Sequence, residues 1–374
     1  MNAAKVIIDS PARNSSLIYI TNYYCLDPFI FVEYKNKKIG WLPSTEFENA
    51  KKKSSLNKIY NLSEEYKALS IANKKCLPSN ILLKWLIKNN IKKIVVPYNF
   101  PLFEADNLRN NDIDVLSLEE PFYESRVSKN QNEIEFIKEN SRKNSHIMKS
   151  VYNILAESKI TNNKMLKYNG ELLTSEALQN FILNQFINND LISDTVIVAV
   201  GDQGCFPHEH GSGYIYADKS IIVDIFPKSR KNLYYTDMTR TFCKGKASYE
   251  LKKIYNTVYE AQKLGIELIQ KNADGKKIHN LIQNYFKKQG FKTRVINGIL
   301  QGFIHGTGHG LGLDCHELPY ISANGNILPE NAIVSVEPGL YYLGIGGVRI
   351  EDLVVVRDKY AENLTLFEKK LEIE

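Results

Sequence analysis

The chain has 374 residues, 43% hydrophobic and 24% charged, a balance typical of folded globular proteins rather than disordered ones. Its net charge of +6, from 48 Lys+Arg against 42 Asp+Glu, is mild, and no basic stripe interleaved with aromatics marks a nucleic-acid surface. No stretch reaches the roughly 18 consecutive apolar residues of a membrane span, and residues 1–14 lack the apolar core of a secretion signal. Five cysteines (Cys25, Cys76, Cys205, Cys243 and Cys315) are odd in number and never spaced as CxxC. That excludes a disulfide framework and a zinc ribbon, and points to a reducing, cytoplasmic setting.

At about one domain per 150 residues, two domains are expected. The first stretch reads as a small α/β unit. Segments 17–20 and 29–34 are strand-like, and the polar turn Lys35-Asn36-Lys37-Lys38 leads into 39–42, predicting a hairpin. A helix is expected over 46–55, and 91–96, closed by Pro97, reads as a buried strand. Glu119-Glu120-Pro121 interrupts the apolar pattern and is the best boundary candidate.

Beyond it, Asn130 with Glu133 forms a capping-box pattern, and Ile134, Ile137, Ile147 and Val151 share one face of a long helix. A second helix is expected after Thr174, with Leu178, Phe181, Ile182 and Phe186 apolar. A third follows Ser248, with Leu251, Ile254, Tyr255, Val258 and Ala261 at 3–4 spacing. Strand-like blocks lie at 195–200, 221–226, 239–242, 332–336 and 353–356. Helices alternating with strand pairs predict α+β architecture rather than a doubly wound parallel sheet. The helix–strand order occurs twice, at 130–245 and 248–356, as in an internal duplication.

Chemistry-bearing residues are concentrated. Of seven histidines, five fall in two glycine-containing segments: His208 and His210, then His305, His309 and His316. Asp224, Asp237, Glu337 and Glu351 lie in or beside strands of β-branched residues, where a carboxylate is costly unless its charge is cancelled. Taken singly, each has an ordinary explanation: a strand carboxylate more often caps a turn or pairs with lysine. Together with a glycine-flanked histidine they suit two divalent cations. Those ions neutralise four carboxylates, and a shared hydroxide leaves one negative charge for Arg349, on the same strand face as Glu351, to balance. Oxygen-rich ligation with one imidazole favours Mn²⁺, with Co²⁺, Fe²⁺ or Zn²⁺ as alternatives. Asp224 and Asp237 are joined by hairpin-loop material, and Glu337 and Glu351 are separated by Pro338-Gly339 and Gly344-Ile345-Gly346-Gly347, so two hairpins would bring all four to one sheet face. The glycines of Gly306-Thr307-Gly308-His309-Gly310 permit close approach of backbone and ligand. His146 and His279 are read as structural.

Three stretches carry a family likeness: Tyr235-Thr-Asp237-Met-Thr-Arg240-Thr-Phe242, His305-Gly-Thr-Gly-His309-Gly-Leu-Gly-Leu-Asp-Cys-His316-Glu317, and Glu337-Pro-Gly339 with Gly347-Val-Arg349-Ile-Glu351-Asp352. They resemble the pita-bread (creatinase/aminopeptidase P/prolidase) metallopeptidases, most of all the Xaa-Pro peptidases. The resemblance implies a creatinase-like N-terminal α/β domain over 1–124 and an α+β pita-bread catalytic domain over 125–374, with internal pseudo-duplication. It implies that Asp224, Asp237, His309, Glu337 and Glu351 are metal ligands. His305 and His316 match histidines that contact substrate or transition state, His208 (or His210) matches a third over the scissile bond, and Arg349 matches the arginine before the final glutamate. The 13 residues from Asp224 to Asp237 exceed the family's usual spacing, and Phe226 stands where the family carries glycine. The gap stays odd, which preserves the strand face of both aspartates.

The activity so implied is hydrolysis of Xaa-Pro peptide bonds by a hydroxide bridging two metal ions. Glu337 would shuttle the proton, and His305 and His316 would donate hydrogen bonds to substrate and oxyanion. A proline-containing peptide is the implied substrate and a homodimer the implied assembly, with no nucleic-acid or membrane partner. The rival readings are another pita-bread hydrolase, such as a methionine aminopeptidase, and a non-catalytic peptide-binding protein on the same scaffold.

Overall fold

The computed structural model describes residues 3–374, which divide into two compact units, the first ending at Arg126 and the second spanning Val127–Glu374. In the first unit the strands β1 (Ala4–Asp9), β2 (Phe29–Tyr34), β3 (Lys37–Leu42), β4 (Lys58–Asn61), β5 (Lys93–Pro97) and β6 (Asp114–Leu118) form one sheet in the order β4-β3-β2-β1-β5-β6. Both faces are buried. Val6, Ile8, Ile30 and Val32 pack on one side against Ile81, Leu82, Leu86 and Leu108, while Ile7, Phe29 and Phe31 pack on the other against Leu17, Ile20 and Ala50. The β2–β3 hairpin turns on Lys35 and Asn36, both with left-handed backbone (φ +49° and +60°), the two-residue turn that matches strand twist.

One expectation fails here. Segment 17–20 is not a strand but part of the helix α1 (Ser15–Thr21). The Asn14 side chain accepts the Leu17 amide at 3.2 Å, and Leu17, Ile20 and Thr21 are buried at helical spacing. Its β-branched composition reads as strand, yet a cap and one buried stripe decide otherwise.

The second unit contains two helix-and-sheet halves. The first half has α-helices Gln131–Glu157 and Ser175–Asn188 and a sheet ordered Ile197–Val200, Ile221–Ile225, Met238–Lys244, Glu372–Ile373. The long helix opens with a complete Asn130/Glu133 capping box. The second half has helices Tyr249–Glu267 and Gly275–Lys288 and a sheet ordered Glu317–Ile321, Gly308–Gly310, Ile333–Val336, Asp352–Val356, Ala361–Asn363. The helix Gly275–Lys288 lies outside the expected elements. Asp274 caps it, and Ile278, Ile282 and Phe286 form its buried stripe. The two halves carry the repeated helix–strand order, and the architecture is α+β throughout this unit. Among the described residues no helix is long and apolar enough to cross a membrane.

Alternation along the strands sorts apolar from polar side chains. Ile221, Val223, Ile225, Met238 and Phe242 pack beneath the first pair of helices, and Val334, Val336, Val354 and Val356 lie in the cluster beneath the second. The intervening positions 224, 237, 239, 335, 337 and 351 therefore face the other way. Strand 333–336 pairs with 352–356, and 339–342 with 346–349, in one continuous register: Val336 lies opposite Asp352 and Gly339 opposite Arg349. Glu337 and Glu351 occupy the break between these ladders, opposite each other in register.

The halves are locked by Arg240, which is fully buried. It donates to the backbone oxygens of Glu351 (2.6 Å), Thr239, Phe367 and Glu368, and to Asp352 Oδ1 at 2.8 Å. Asp352 is completed by Asn363 at 2.8 Å and Lys369 at 2.5 Å. Although burial opposes ionisation of Asp352, Arg240 and Lys369 hold its carboxyl below the usual carboxylate range. Asp352→Ala strands both cations, and removing one partner of a buried pair costs about 3–5 kcal/mol. The expected outcome is a loss of that size in urea unfolding; a loss under about 1 kcal/mol would show that the lock is not made by this carboxylate.

Candidate metal centre

The polar strand positions converge on a cavity of about 720 Å³ lined by Asp224, Asp237, His309, Glu337 and Glu351, together with His208, His210, His305, His316 and Arg349. Every residue picked out from the sequence as a candidate thus reaches one cleft. Asp237, His309 and Glu351 come together most tightly, with one potential donor atom from each lying within 4.8 Å of the others. Glu337 Oε1 lies 3.4 Å from His309 Nε2, and Asp237 Oδ2 lies 3.9 Å from it. Asp224 is turned partly aside: its Oδ2 takes a 2.7 Å hydrogen bond from Arg349 Nη2.

The strands fix these groups. Asp224 lies opposite Thr239, so Asp237, two residues earlier on the neighbouring strand, shares its face despite the long connection. Thr239 Oγ1 donates to Glu351 Oε2 at 2.9 Å, and the Glu351 amide donates to Thr239 O at 3.0 Å, tying the two sheets at the site. His309 sits in the short strand Gly308–Gly310; a Cβ on Gly308 would lie 1.9 Å from the Ser335 carbonyl oxygen, so only glycine permits this strand spacing. The His309 Nδ1–H donates to Gly310 O at 3.1 Å, which leaves the Nε2 lone pair facing Asp237 and Glu337.

Asp224 Oδ1, Asp237 Oδ1 and Glu351 Oε1 are buried and meet no hydrogen-bond donor among the described residues. Burial, with Asp224 and Glu337 nearby, pushes the Asp237 carboxyl well above the usual range. Burial and Asp237 do the same to Glu351, and burial raises Glu337 to about 7. Acid oxygens left without donors beside an imidazole lone pair fit divalent cations, whose charge supplies what the protein's own groups do not.

The histidines differ in what they have free. Arg349 Nη1 donates to Tyr341 Oη at 3.0 Å, Tyr341 is 2.7 Å from His305 Nε2, and His305 Nδ1 is 2.7 Å from Gly306 O. Both ring nitrogens of His305 are therefore engaged, and burial with the Arg349 charge lowers its pKa to about 3. His316 packs against His309 at 4.1 Å between ring centroids and makes no ring hydrogen bond among the described residues. His208 also lines the cleft and makes no ring hydrogen bond among the described residues, whereas His210 Nδ1 is taken by Thr195 Oγ1. His146 is exposed, and His279 is bonded to Thr307, consistent with structural roles.

Residues missed in the sequence include Tyr341, Thr239 and Cys315, whose Sγ lies 3.7 Å from Asp237 Oδ2. Even spacing was the available signal for two of them: Tyr341 stands four from Glu337, and Thr239 two from Asp237.

A buried carboxylate–imidazole cluster carried between two sheets of a pita-bread fold marks the metallopeptidase class. Residues 135–358 match metallopeptidase family M24, and the chain belongs to that family. The Xaa-Pro dipeptidase of Pyrococcus furiosus is 33% identical over 177 residues, 47% of this chain and 48% of that protein. A peptidase of Bacillus subtilis, described as uncharacterized, is 33% identical over 202 residues, 54% of each chain. The matched stretch spans about half the length of these curated relatives. Two solved structures share the fold over nearly the whole chain. The X-Pro aminopeptidase of Thermotoga maritima has a TM-score of 0.80 and 21% identity, covering 100% of this chain and 97% of that one. A Xaa-Pro dipeptidase from Bacillus anthracis has a TM-score of 0.81 and 22% identity, covering 99% and 95%.

Two measurements test this site. His309→Ala removes the one nitrogen donor facing the carboxylates, and Mn²⁺ affinity by calorimetry should fall by at least about tenfold. Unchanged affinity would place the ion elsewhere. The second concerns the chelator-treated protein. Glu337 moves from an ordinary value of 4.5 to about 7 on folding, so the native state retains its proton while the unfolded state loses it. The Glu337 contribution is therefore present below pH 4.5 and lost as pH rises towards 7. Glu337→Gln does not titrate, so its stability relative to wild type should climb over this window by on the order of 3 kcal/mol. A pH-independent difference in urea midpoints would show that the carboxyl is not perturbed.

Proposed function

We propose that this chain is a metal-dependent peptidase that hydrolyses Xaa-Pro bonds. The observation that carries the reading is the set of buried carboxylate oxygens of Asp224, Asp237 and Glu351, without donors among the described residues, gathered with His309 and Glu337 in one open cleft. Asp224, Asp237, His309, Glu337 and Glu351 are the proposed holders of two divalent ions. When bound, such ions supply Lewis acidity and make a shared water ionisable near neutral pH.

The protein's own groups divide the remaining work. Glu337, half-buried with its Oε1 3.4 Å from His309 Nε2, takes the proton from the attacking water and returns it to the proline nitrogen as the bond breaks. His316 and His208, with uncommitted ring nitrogens, donate hydrogen bonds to the substrate carbonyl as its oxygen gains charge. His305 takes a different part from the one its sequence position implies. Bound to Tyr341 and Gly306, it holds Tyr341 in place, and Tyr341 in turn orients Arg349 against Asp224. The engaged Nδ1 of His210 favours His208 as the substrate-facing member of that pair.

The donor set of several carboxylates and one imidazole supports Mn²⁺ as the resident ion. The five cysteines, all free, support a reducing, cytoplasmic location, and the family resemblance supports a homodimer.

The test is release of the N-terminal residue from Xaa-Pro and from Xaa-Pro-Yaa-Zaa, each with Mn²⁺ and with a chelator. Metal-dependent cleavage of either supports the reading, and their ratio separates dipeptidase from aminopeptidase action. Glu337→Gln should lower kcat by at least about a hundredfold, the lower end of what general acid–base catalysis contributes, while far-UV circular dichroism stays unchanged. Turnover at the wild-type rate would remove Glu337 from the proton path.

A further inference from the structure

We propose that Lys228 forms a carboxylate-recognition subsite in the wall of the cleft, and that preferred substrates place a carboxylate against it. The inference rests on the Xaa-Pro hydrolase reading and adds a substrate class to it.

The connection from Asp224 to Asp237 is not a slack loop. Its short strand Lys228–Ser229 pairs with Leu191–Ile192, placing Ile192 opposite Lys228, and Lys228 also bridges to Tyr235. Held from both sides, this segment forms part of the cavity wall, contributing Phe226 and Lys228 beside Ile192 and Tyr235. Ile192, Phe226 and Tyr235 are apolar or aromatic, and Ser193, Asp194 and Thr195 line the cavity beside them.

The Lys228 ammonium sits 5.6 Å from the centroid of the Tyr235 ring, which is itself part of that wall. Among the described residues it makes no ion pair, whereas nearby Lys231 is taken by Asp190 at 2.5 Å. Lys228 is half-buried, and a cation so placed lacks part of its hydration while gaining only the weak attraction of a ring face. An anion arriving in the cleft supplies the missing partner where solvent screens it less than on an open surface. Asp194 also lines the cavity; a cleft governed by that residue would prefer a cationic substrate instead.

A carboxylate reaches this wall from one of two sources, an acidic side chain at Xaa or the free C-terminus of a dipeptide. Kinetics of the Mn²⁺-loaded full chain on Glu-Pro, Gln-Pro, Lys-Pro and Gln-Pro-amide distinguish them. Wild type should favour Glu-Pro over Gln-Pro, or Gln-Pro over its amide, by roughly five- to tenfold in kcat/KM, carried by KM. Lys228→Met should flatten the ratio that depends on it, Lys228→Arg should keep it, and Lys228→Glu should invert it. Calorimetric binding of the same peptides to Glu337→Gln reads the charge preference without turnover, so failure of hydrolysis and failure of the subsite are separate results. Ratios in Lys228→Met equal to wild type in both comparisons would overturn the subsite, and so would a wild-type preference for Lys-Pro over Glu-Pro together with equal rates for Gln-Pro and its amide.

Discussion

Electrostatic cost is the constraint around which the second unit is arranged. Asp237 and Glu351 stand on the inner face of paired sheets where water is largely excluded, and burial, with the neighbouring carboxylates, pushes both carboxyls well above the usual range. A protein keeps such a cluster only if it is protonated, or if positive charge is brought to it. Arg349 answers part of the demand through Asp224, but the inner oxygens of Asp224, Asp237 and Glu351 have no donor among the described residues. The free lone pair of His309 and the open cleft in front of these groups make a divalent cation the fitting remainder.

Holding like charges together requires rigid support, and the structure provides it by backbone and by ion pair. The continuous register from 333–342 against 346–356 puts Glu337 and Glu351 opposite each other, while Thr239 and Thr241 stitch this hairpin to the neighbouring sheet. Arg240 lies behind the same strands and binds both the Glu351 carbonyl and the adjacent Asp352 carboxylate. Two consecutive acids thus face opposite ways with opposite fates. Glu351 turns to the cleft without sufficient internal compensation, and Asp352 is fully neutralised in the interior.

Hydrogen-bond occupancy divides the histidines in the same manner. A ring bonded at both nitrogens can position its neighbours but has nothing left for a ligand, and His305 is in that condition through Tyr341 and Gly306. His309 has spent one nitrogen on a carbonyl and keeps the other directed at acids. His316 and His208 have spent neither. Sequence position gives His305 and His316 one role, and hydrogen-bond occupancy separates them.

Much of the scaffold was legible from local rules. The Asn130/Glu133 box, the buried stripes after Thr174 and Ser248, and the alternation that puts Asp224 opposite in face to Val223 are short-range patterns, set by helical and strand periodicity. The odd separation of Asp224 and Asp237 likewise kept them on one face. Where propensity competes with capping, as at 17–20, composition points to the wrong element; the helix Gly275–Lys288 carries its cap and stripe at Asp274, Ile278, Ile282 and Phe286. What only the tertiary structure decided were relations between distant segments: Tyr341 bridging His305 and Arg349, Arg240 locking Asp352, and Lys228 lining the cavity wall against Tyr235. These depend on which strands become neighbours and which donors are already taken. A sequence specifies a side chain's face through its period, but its partners are fixed only when the sheets close.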